Sequence, residues 1–191
     1  GPKTVALYSE NTAEIKTLRI GPWIRDRILL VDLGFYKTQL FARVEENGGY
    51  FVSRIRKNMD PFIVSIESGV LEEKREEFIG KRVSELTEQL SGKDLDAVVK
   101  IAFKRRAYKG KQRKDEMHVR LVATYNCEEE KYHIYITNIK KDVLDVNDIA
   151  KLYGARWEIE LLFKELNSGY ALDELDTKNV QIISAFIWTS I

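Results

Sequence analysis

Four consecutive apolar residues, Ile28-Leu29-Leu30-Val31, stand between Arg27 and Asp32. A short apolar run closed by charge at both ends predicts a strand buried on both faces, as in a parallel sheet. Upstream, Thr4 to Tyr8 reads as another short strand, and Ser9 or Asn11 can cap a helix over Thr12 to Ile20 that Gly21-Pro22 stops. Downstream, Lys37 to Asn47 places Leu40, Phe41 and Val44 on one helical face; Asn47-Gly48-Gly49 closes that helix and Tyr50 to Ile55 resumes as a strand. Residues 4 to 56 thus alternate strand, helix, strand, helix, strand, which predicts an α/β sheet with parallel neighbours.

Beyond this the pattern changes twice. Residues 65 to 92 are charge-rich and read as a helical or irregular connector anchored by Leu71, Phe78, Val83, Leu86 and Leu90. From Leu95 to Ile139 strands dominate: Ala97 to Phe103, Met117 to Tyr125 and Lys131 to Ile139, the last two joined by a turn at Asn126 to Glu130. Alternation at Val119, Leu121 and Ala123, and at Ile134 and Ile136, predicts an antiparallel element with one face exposed. A long helix follows from Asn147-Asp148 to Ser168-Gly169, with Ile149, Leu152, Ala155, Ile159, Leu162 and Leu166 as its apolar stripe. Another helix begins near Thr177. The organisation expected is a core in two parts, residues 1–66 and 141–191, separated by a connector and β-rich insertion over residues 67–140.

Composition narrows the chemistry. Hydrophobic residues make up 44% of the 191, enough for a packed core, and no apolar run reaches the roughly 18 residues of a membrane span. With no secretory leader visible, the expectation is a soluble, cytoplasmic protein. Gly1-Pro2 reads as a protease scar and Ile191 interrupts an apolar run, so the chain is expected to be a piece of a longer protein. One Cys and two His, His118 and His133, exclude a disulfide framework and a Cys-rich zinc site; a metal here would be a hard cation on Asp and Glu oxygens.

Net charge is +1, from 31 Lys plus Arg against 30 Asp plus Glu, yet the charges are unevenly distributed. Lys104, Arg105, Arg106, Lys109, Lys111, Arg113 and Lys114 put seven cations in eleven residues with no acid, leaving −6 on the rest. Such a finger suits phosphate contact, with Tyr108 available to pack on sugar or base; the alternative is a solvated hairpin tip. A smaller cluster, Arg54, Arg56 and Lys57, leaves the strand that begins at Tyr50. Asp32 ends the most hydrophobic strand, where open α/β sheets carry functional groups, although such an aspartate can simply cap a turn. Tyr153, Arg156, Glu160, Lys164 and Asn167 share one helical face. Arg156 and Lys164, one turn either side, favour an ionised Glu160 able to bind metal; the alternative is a surface ion-pair ladder.

Three blocks of this sequence resemble the catalytic domain of the DDE transposases of the insertion-sequence-four family. They are Val31-Asp32-Leu-Gly-Phe-Tyr36 with Leu40-Phe41 and Tyr50-Phe51-Val52, then Ile136-Thr137-Asn138-Ile139, and most specifically Tyr153-x2-Arg156-x3-Glu160. The resemblance implies an RNase H-like mixed sheet flanked by helices and interrupted by a β-rich insertion. It implies Asp32 and Glu160 as catalytic ligands of Mg²⁺ or Mn²⁺, with Tyr153, Arg156 and Lys164 on phosphates. The family's following Lys corresponds to Asn167, and its first catalytic Asp would lie upstream of Thr4 to Tyr8. By position His133, beside Tyr132 and Tyr135, matches an aromatic residue that stacks on a flipped base. DNA, both transposon end and target, and a homodimer are the implied partners; this piece alone is expected not to cleave. A domesticated DNA-binding module and an RNase H-like nuclease are the alternatives.

Overall fold

The structure is a computed structural model that describes residues 18–70, 72–105, 107, 109–158 and 161. Residues 20–153 form one compact unit, and the described residues at 18–19, 154–158 and 161 belong to a second. The expected strand at Thr4 to Tyr8, most of the helix at Thr12 to Ile20, Leu71, the helix beyond residue 161 and the helix near Thr177 lie outside the described residues.

Within the first unit the elements are β1 (Ile28–Val31), α1 (Thr38–Glu46), β2 (Tyr50–Arg54), β3 (Phe62–Ser68), α2 (Glu72–Phe78), α3 (Val83–Thr87), β4 (Leu95–Lys104), β5 (Lys114–Asn126), β6 (Lys131–Thr137) and α4 (Val146–Gly154). They form a mixed six-stranded sheet in the order β1-β2-β6-β5-β4-β3. β1 and β2 run parallel, with Leu29 opposite Phe51 and Val31 opposite Ser53; every other pairing is antiparallel. The chain is thus an α/β protein with a mixed sheet flanked by helices.

Antiparallel partners share a face, so the register divides the sheet's side chains. One face carries Phe51, Ile136, Leu121, Val119, Ala97, Val99, Ile101 and Ile63, all buried. α1 packs on it: Phe41 stacks on Phe51 at 4.6 Å between ring centroids, and Leu40 and Val44 are buried beside it. Burying a Phe or Leu side chain contributes about 1.5–3 kcal/mol, so this face carries much of the core. The opposite face carries Val52, Val122 and Tyr135, which pack with Ile139, Ile149 and Tyr153 as α4 crosses them. Farther along the same face His118 and Glu116 stand exposed. The predicted one-sided strands are therefore right for β4 and the start of β5, while α4 covers the second face at β2, β6 and the end of β5.

Two further elements differ from expectation. Phe62–Ser68 is a strand where the connector was expected to begin; register shifts at Ile63/Ser65 and Ile66/Ser68 break its alternation and hide the period of two. Among the described residues β1 is an edge strand, with Ile28 43% exposed rather than buried on both faces.

Polar side chains join the elements. Arg120, buried in β5, meets Asp96 of β4 in a fork, Nε to Oδ1 and Nη2 to Oδ2 at 2.9 Å each, while Nη1 donates to the carbonyls of Leu144 (2.6 Å) and Ile139 (3.3 Å). The fork thereby holds the segment that leads into α4. Asn138 extends the pairing beyond β6: its Oδ1 accepts from Phe51 N and its Nδ2 donates to Gly49 O. Thr137 Oγ1 donates to Phe51 O at 2.6 Å and accepts from Ile139 N. At Gly49 a Cβ would lie 2.6 Å from Ile24 Cγ1 and 2.8 Å from the Ile24 carbonyl, so the turn into β2 requires glycine.

Candidate functional site

Asp32 follows the last residue of β1 and Arg54 is the last residue of the parallel neighbour β2. Functional groups in open α/β sheets gather at such carboxyl ends. Alternation directs Asp32 to the side of Leu30, Val52 and Arg54, the side that α4 covers. Its carboxylate also shapes the chain: Oδ2 accepts from Gly34 N at 3.0 Å and starts the single 3₁₀ turn Leu33–Phe35. The capping alternative is thus realised in the same residue that a metal site would use.

The loop after β2 returns to this turn. Arg56 donates from Nη2 (2.9 Å) and Nε (3.3 Å) to the Leu33 carbonyl, and its guanidinium lies 5.3 Å from the Tyr36 ring centroid. Burial pushes the Tyr36 hydroxyl up to about 12 against the opposing pull of Arg56. Arg54 sits beside Tyr135, whose hydroxyl burial likewise raises while Arg54 pulls the other way. Arg54, Arg56 and Lys57 line one cleft of about 380 Å³ together with Lys131 and Tyr132. The structure therefore brings the smaller basic cluster to the Asp32 end of the sheet, and adds Lys131, which the sequence reading had not singled out.

The basic finger is the β4–β5 hairpin, and its root is anchored. Arg105 binds Asp115 through Nε and Glu46 through Nη1, each at 2.6 Å, and its N–H donates to Arg113 O. These bonds hold the Asp115 carboxyl below its usual range and raise the Arg105 guanidinium. Gln39 Nε2 reaches the Lys104 carbonyl and ties the other end of α1 to the same hairpin. Arg105 is thus a brace between hairpin and helix, whereas Lys104, Lys109, Lys111, Arg113 and Lys114 are exposed. Arg106 and Tyr108 lie outside the described residues.

His133 on β6 is half-buried, with Nε2 3.0 Å from Glu129 Oε2; Glu129 is also bound by Lys131. Those two partners, Lys131 first, draw the Glu129 carboxyl down to about 2. Tyr153 is buried with its ring 5.4 Å from Tyr135. In the second unit the Arg156 guanidinium lies 5.1 Å from the Trp157 ring centroid. Glu160, Lys164 and Asn167 lie outside the described residues. Among the described residues no three His, Cys, Asp or Glu side chains converge as a metal cluster, and no helix is long and apolar enough to cross a membrane.

Comparison with known proteins completes this picture. The chain is 24% identical over 191 residues to the transposase for insertion sequence element IS1151 of Clostridium perfringens, covering 83% of this chain and 38% of that protein. It is 23% identical over 184 residues to the transposase for IS231E of Bacillus thuringiensis subsp. finitimus, covering 84% and 37%. A 72-residue stretch is 31% identical to the putative transposase InsL for IS186A of Escherichia coli, covering 38% and 20%. The chain spans about two-fifths of the length of the first two relatives. The family model described as the transposase DDE domain matches residues 4–191, so an Asp32 turn at the end of a parallel strand sits in a chain that belongs to the DDE transposase domain family.

Proposed function

We propose that this chain supplies most of the catalytic core of a DNA transposase of the insertion-sequence-four type, and that the full-length protein cuts phosphodiesters at the ends of its element and joins them to target DNA. The observation that carries the reading is the placement of Asp32 beside Arg54 at the carboxyl ends of two parallel strands, on the face crossed by α4. The core would comprise residues 1–66 and 141–191, with residues 67–140 as an insertion whose strands β4, β5 and β6 extend the same sheet.

Asp32 and Glu160 are the proposed ligands of Mg²⁺ or Mn²⁺. Carboxylate oxygens suit a hard cation; of the softer donors, Cys127 and His118 stand exposed on the β5–β6 turn and on β5, and His133 is bound to Glu129. Glu160 lies outside the described residues, and the resemblance adds to this pair a first catalytic aspartate that would lie upstream of Thr4 to Tyr8. When bound, the divalent ions would supply an activated oxygen nucleophile and stabilise the leaving oxygen of an in-line displacement.

This chain's own residues do the rest. Arg56 holds the Asp32 turn through Leu33 O, which fixes where the carboxylate stands. Arg54, Lys57 and Lys131, with Arg156 and Lys164, bind phosphates near the scissile bond, and the exposed cations of the β4–β5 hairpin hold the strand farther out. Tyr153, buried against Tyr135, would support this face, and His133 is the proposed stacking partner of a displaced base. Two ends cut together need two such cores, so the working form is a homodimer on DNA.

Cleavage of an end-containing duplex by the full-length protein with Mg²⁺ tests this directly. Asp32→Asn and Glu160→Gln should each abolish cleavage while leaving DNA binding in chelator within about threefold, since neither carboxylate neutralises a phosphate. Cleavage at wild-type rates by either variant would reject the assignment.

A further inference from the structure

α4 is tied to the sheet at two places. Along its length Ile149 and Tyr153 are buried against Val52, Val122 and Tyr135. At its start Asp145 and Asp148 cap the helix reciprocally: Asp148 N donates to Asp145 Oδ1 at 2.8 Å, and Asp145 N to Asp148 Oδ2 at 3.2 Å. The residue before this cap is Leu144, whose carbonyl accepts from Arg120 Nη1 at 2.6 Å. The same nitrogen donates to Ile139 O at 3.3 Å, so one guanidinium grips the loop both where it leaves β6 and where it turns into helix. Among the described residues no backbone N–H donates to either carbonyl.

Stability alone does not call for this arrangement. Arg120 and Asp96 are buried on the face that also carries Val98 and Val122, and replacing a buried ion pair by apolar side chains of similar volume is often neutral or stabilising. What an apolar pair lacks is direction. Asp96 fixes the plane of the guanidinium through Nε and Nη2, which aims Nη1 at the loop from a strand in the interior of the sheet. The register of β4 against β5 is thereby transmitted to the residue at which α4 is about to begin.

We propose that Arg120 is a positioning residue for DNA cleavage: with Asp96 it sets where α4 begins, and so where Tyr153 and, seven residues farther along the chain, Glu160 stand relative to Asp32. The inference rests on the catalytic reading above and deepens it, because both members of the fork belong to residues 67–140, outside the two segments that carry the carboxylates. The insertion then has a task in catalysis that is separate from holding DNA. A reacting group misplaced by about 1 Å can cost about a hundredfold in rate. Arg120 is buried and offers no phosphate contact of its own, so affinity for DNA should not follow the rate.

The test uses the full-length protein and two variants. One combines Arg120→Met with Asp96→Leu and removes both charges; the other, Arg120→Lys, keeps a cation opposite Asp96 without the planar fork that also reaches Leu144 O. The double variant should unfold near the wild-type denaturant midpoint and bind an end-containing duplex in chelator within about threefold. Its single-turnover cleavage with Mg²⁺ should nevertheless be about tenfold to a hundredfold slower. Amide exchange gives a readout that needs no cleavage: in both variants the Ile149 amide, which donates to Asp145 O, should lose about tenfold more protection than the amides of β2 and β6, as for one lost hydrogen bond to a charged group. Should the double variant fail to fold, Arg120→Lys carries the same comparison of rate, affinity and exchange. If Asp32→Asn leaves cleavage intact, the catalytic reading fails while the exchange comparison still decides the placement of α4. A folded variant that cleaves at the wild-type rate, a loss of rate matched by an equal loss of affinity, or protection lost equally in α4 and in the sheet would overturn the proposal.

Discussion

Arg120 spends three nitrogens on four acceptors, two oxygens of Asp96 and the carbonyls of Ile139 and Leu144, in a setting where its side chain is 7% exposed and that of Asp96 is fully buried. Removing one partner strands a buried charge, so Arg120→Met or Asp96→Leu alone should cost about 3–5 kcal/mol, read as a shift of the denaturant midpoint. The double replacement should recover most of that loss; a double variant no more stable than either single one would show that the fork itself carries the fold. None of this is legible in the sequence, because period-two reasoning assigns a charged residue in a strand to solvent, and the partner lies 24 residues away on another strand. Asp32 was legible, since an apolar run closed by an aspartate marks the end of a strand, even though among the described residues that strand lies at the sheet edge. Its contact through Leu33 with Arg56 was not, because it depends on the path of the loop after β2.

Glu129 offers a pH-dependent prediction at the same scale. Its folded carboxyl is lowered to about 2 by Lys131 and His133, below the unfolded value near 4.3, so the stabilisation is complete above that value and is lost as pH falls through about 2. The protection of the amides at the β5–β6 turn, taken relative to intrinsic exchange at each pH, should therefore fall between about pH 4 and pH 2, and Glu129→Gln should remove that dependence; an unchanged protection profile would refute it.

Among the elements, the β4–β5 hairpin separates two kinds of cation that look alike in sequence. Arg105 is bound to Glu46 and Asp115, whereas Lys111 is exposed. Lys111→Gln should lower the salt-dependence slope of DNA binding by about one, uniformly across sequences. Arg105→Gln should change stability by no more than about 1 kcal/mol, as expected of exposed ion pairs, while loosening the hairpin root, seen as faster exchange of the Arg105 amide. Equal effects of both replacements on the salt slope would contradict this division. Element existence was readable where the period was clean: α1, β2, β5 and β6 lie within a few residues of their expected bounds. β3 was not, because its register shifts erase the alternation.

For the whole molecule, the distribution of charge proved more informative than its near-zero sum. The acidic body carries Asp32 at a strand end, and cations reach that end from the loop after β2 and from β6. The sheet also shows why the strands of residues 95–137 belong to the same body as the Asp32 strands: β6 pairs β2 directly, and the Thr137-Asn138 side chains continue the pairing where the backbone ladder ends. The sequence showed that those strands exist and not which edge they join, because register lies in contacts between distant segments. The most direct measurement is the anomalous diffraction of Mn²⁺ in crystals of the full-length protein bound to one end of its element. The account predicts manganese held between the carboxylates of Asp32 and Glu160; manganese bound elsewhere, or those two carboxylates too far apart to share a two-metal site, would contradict it.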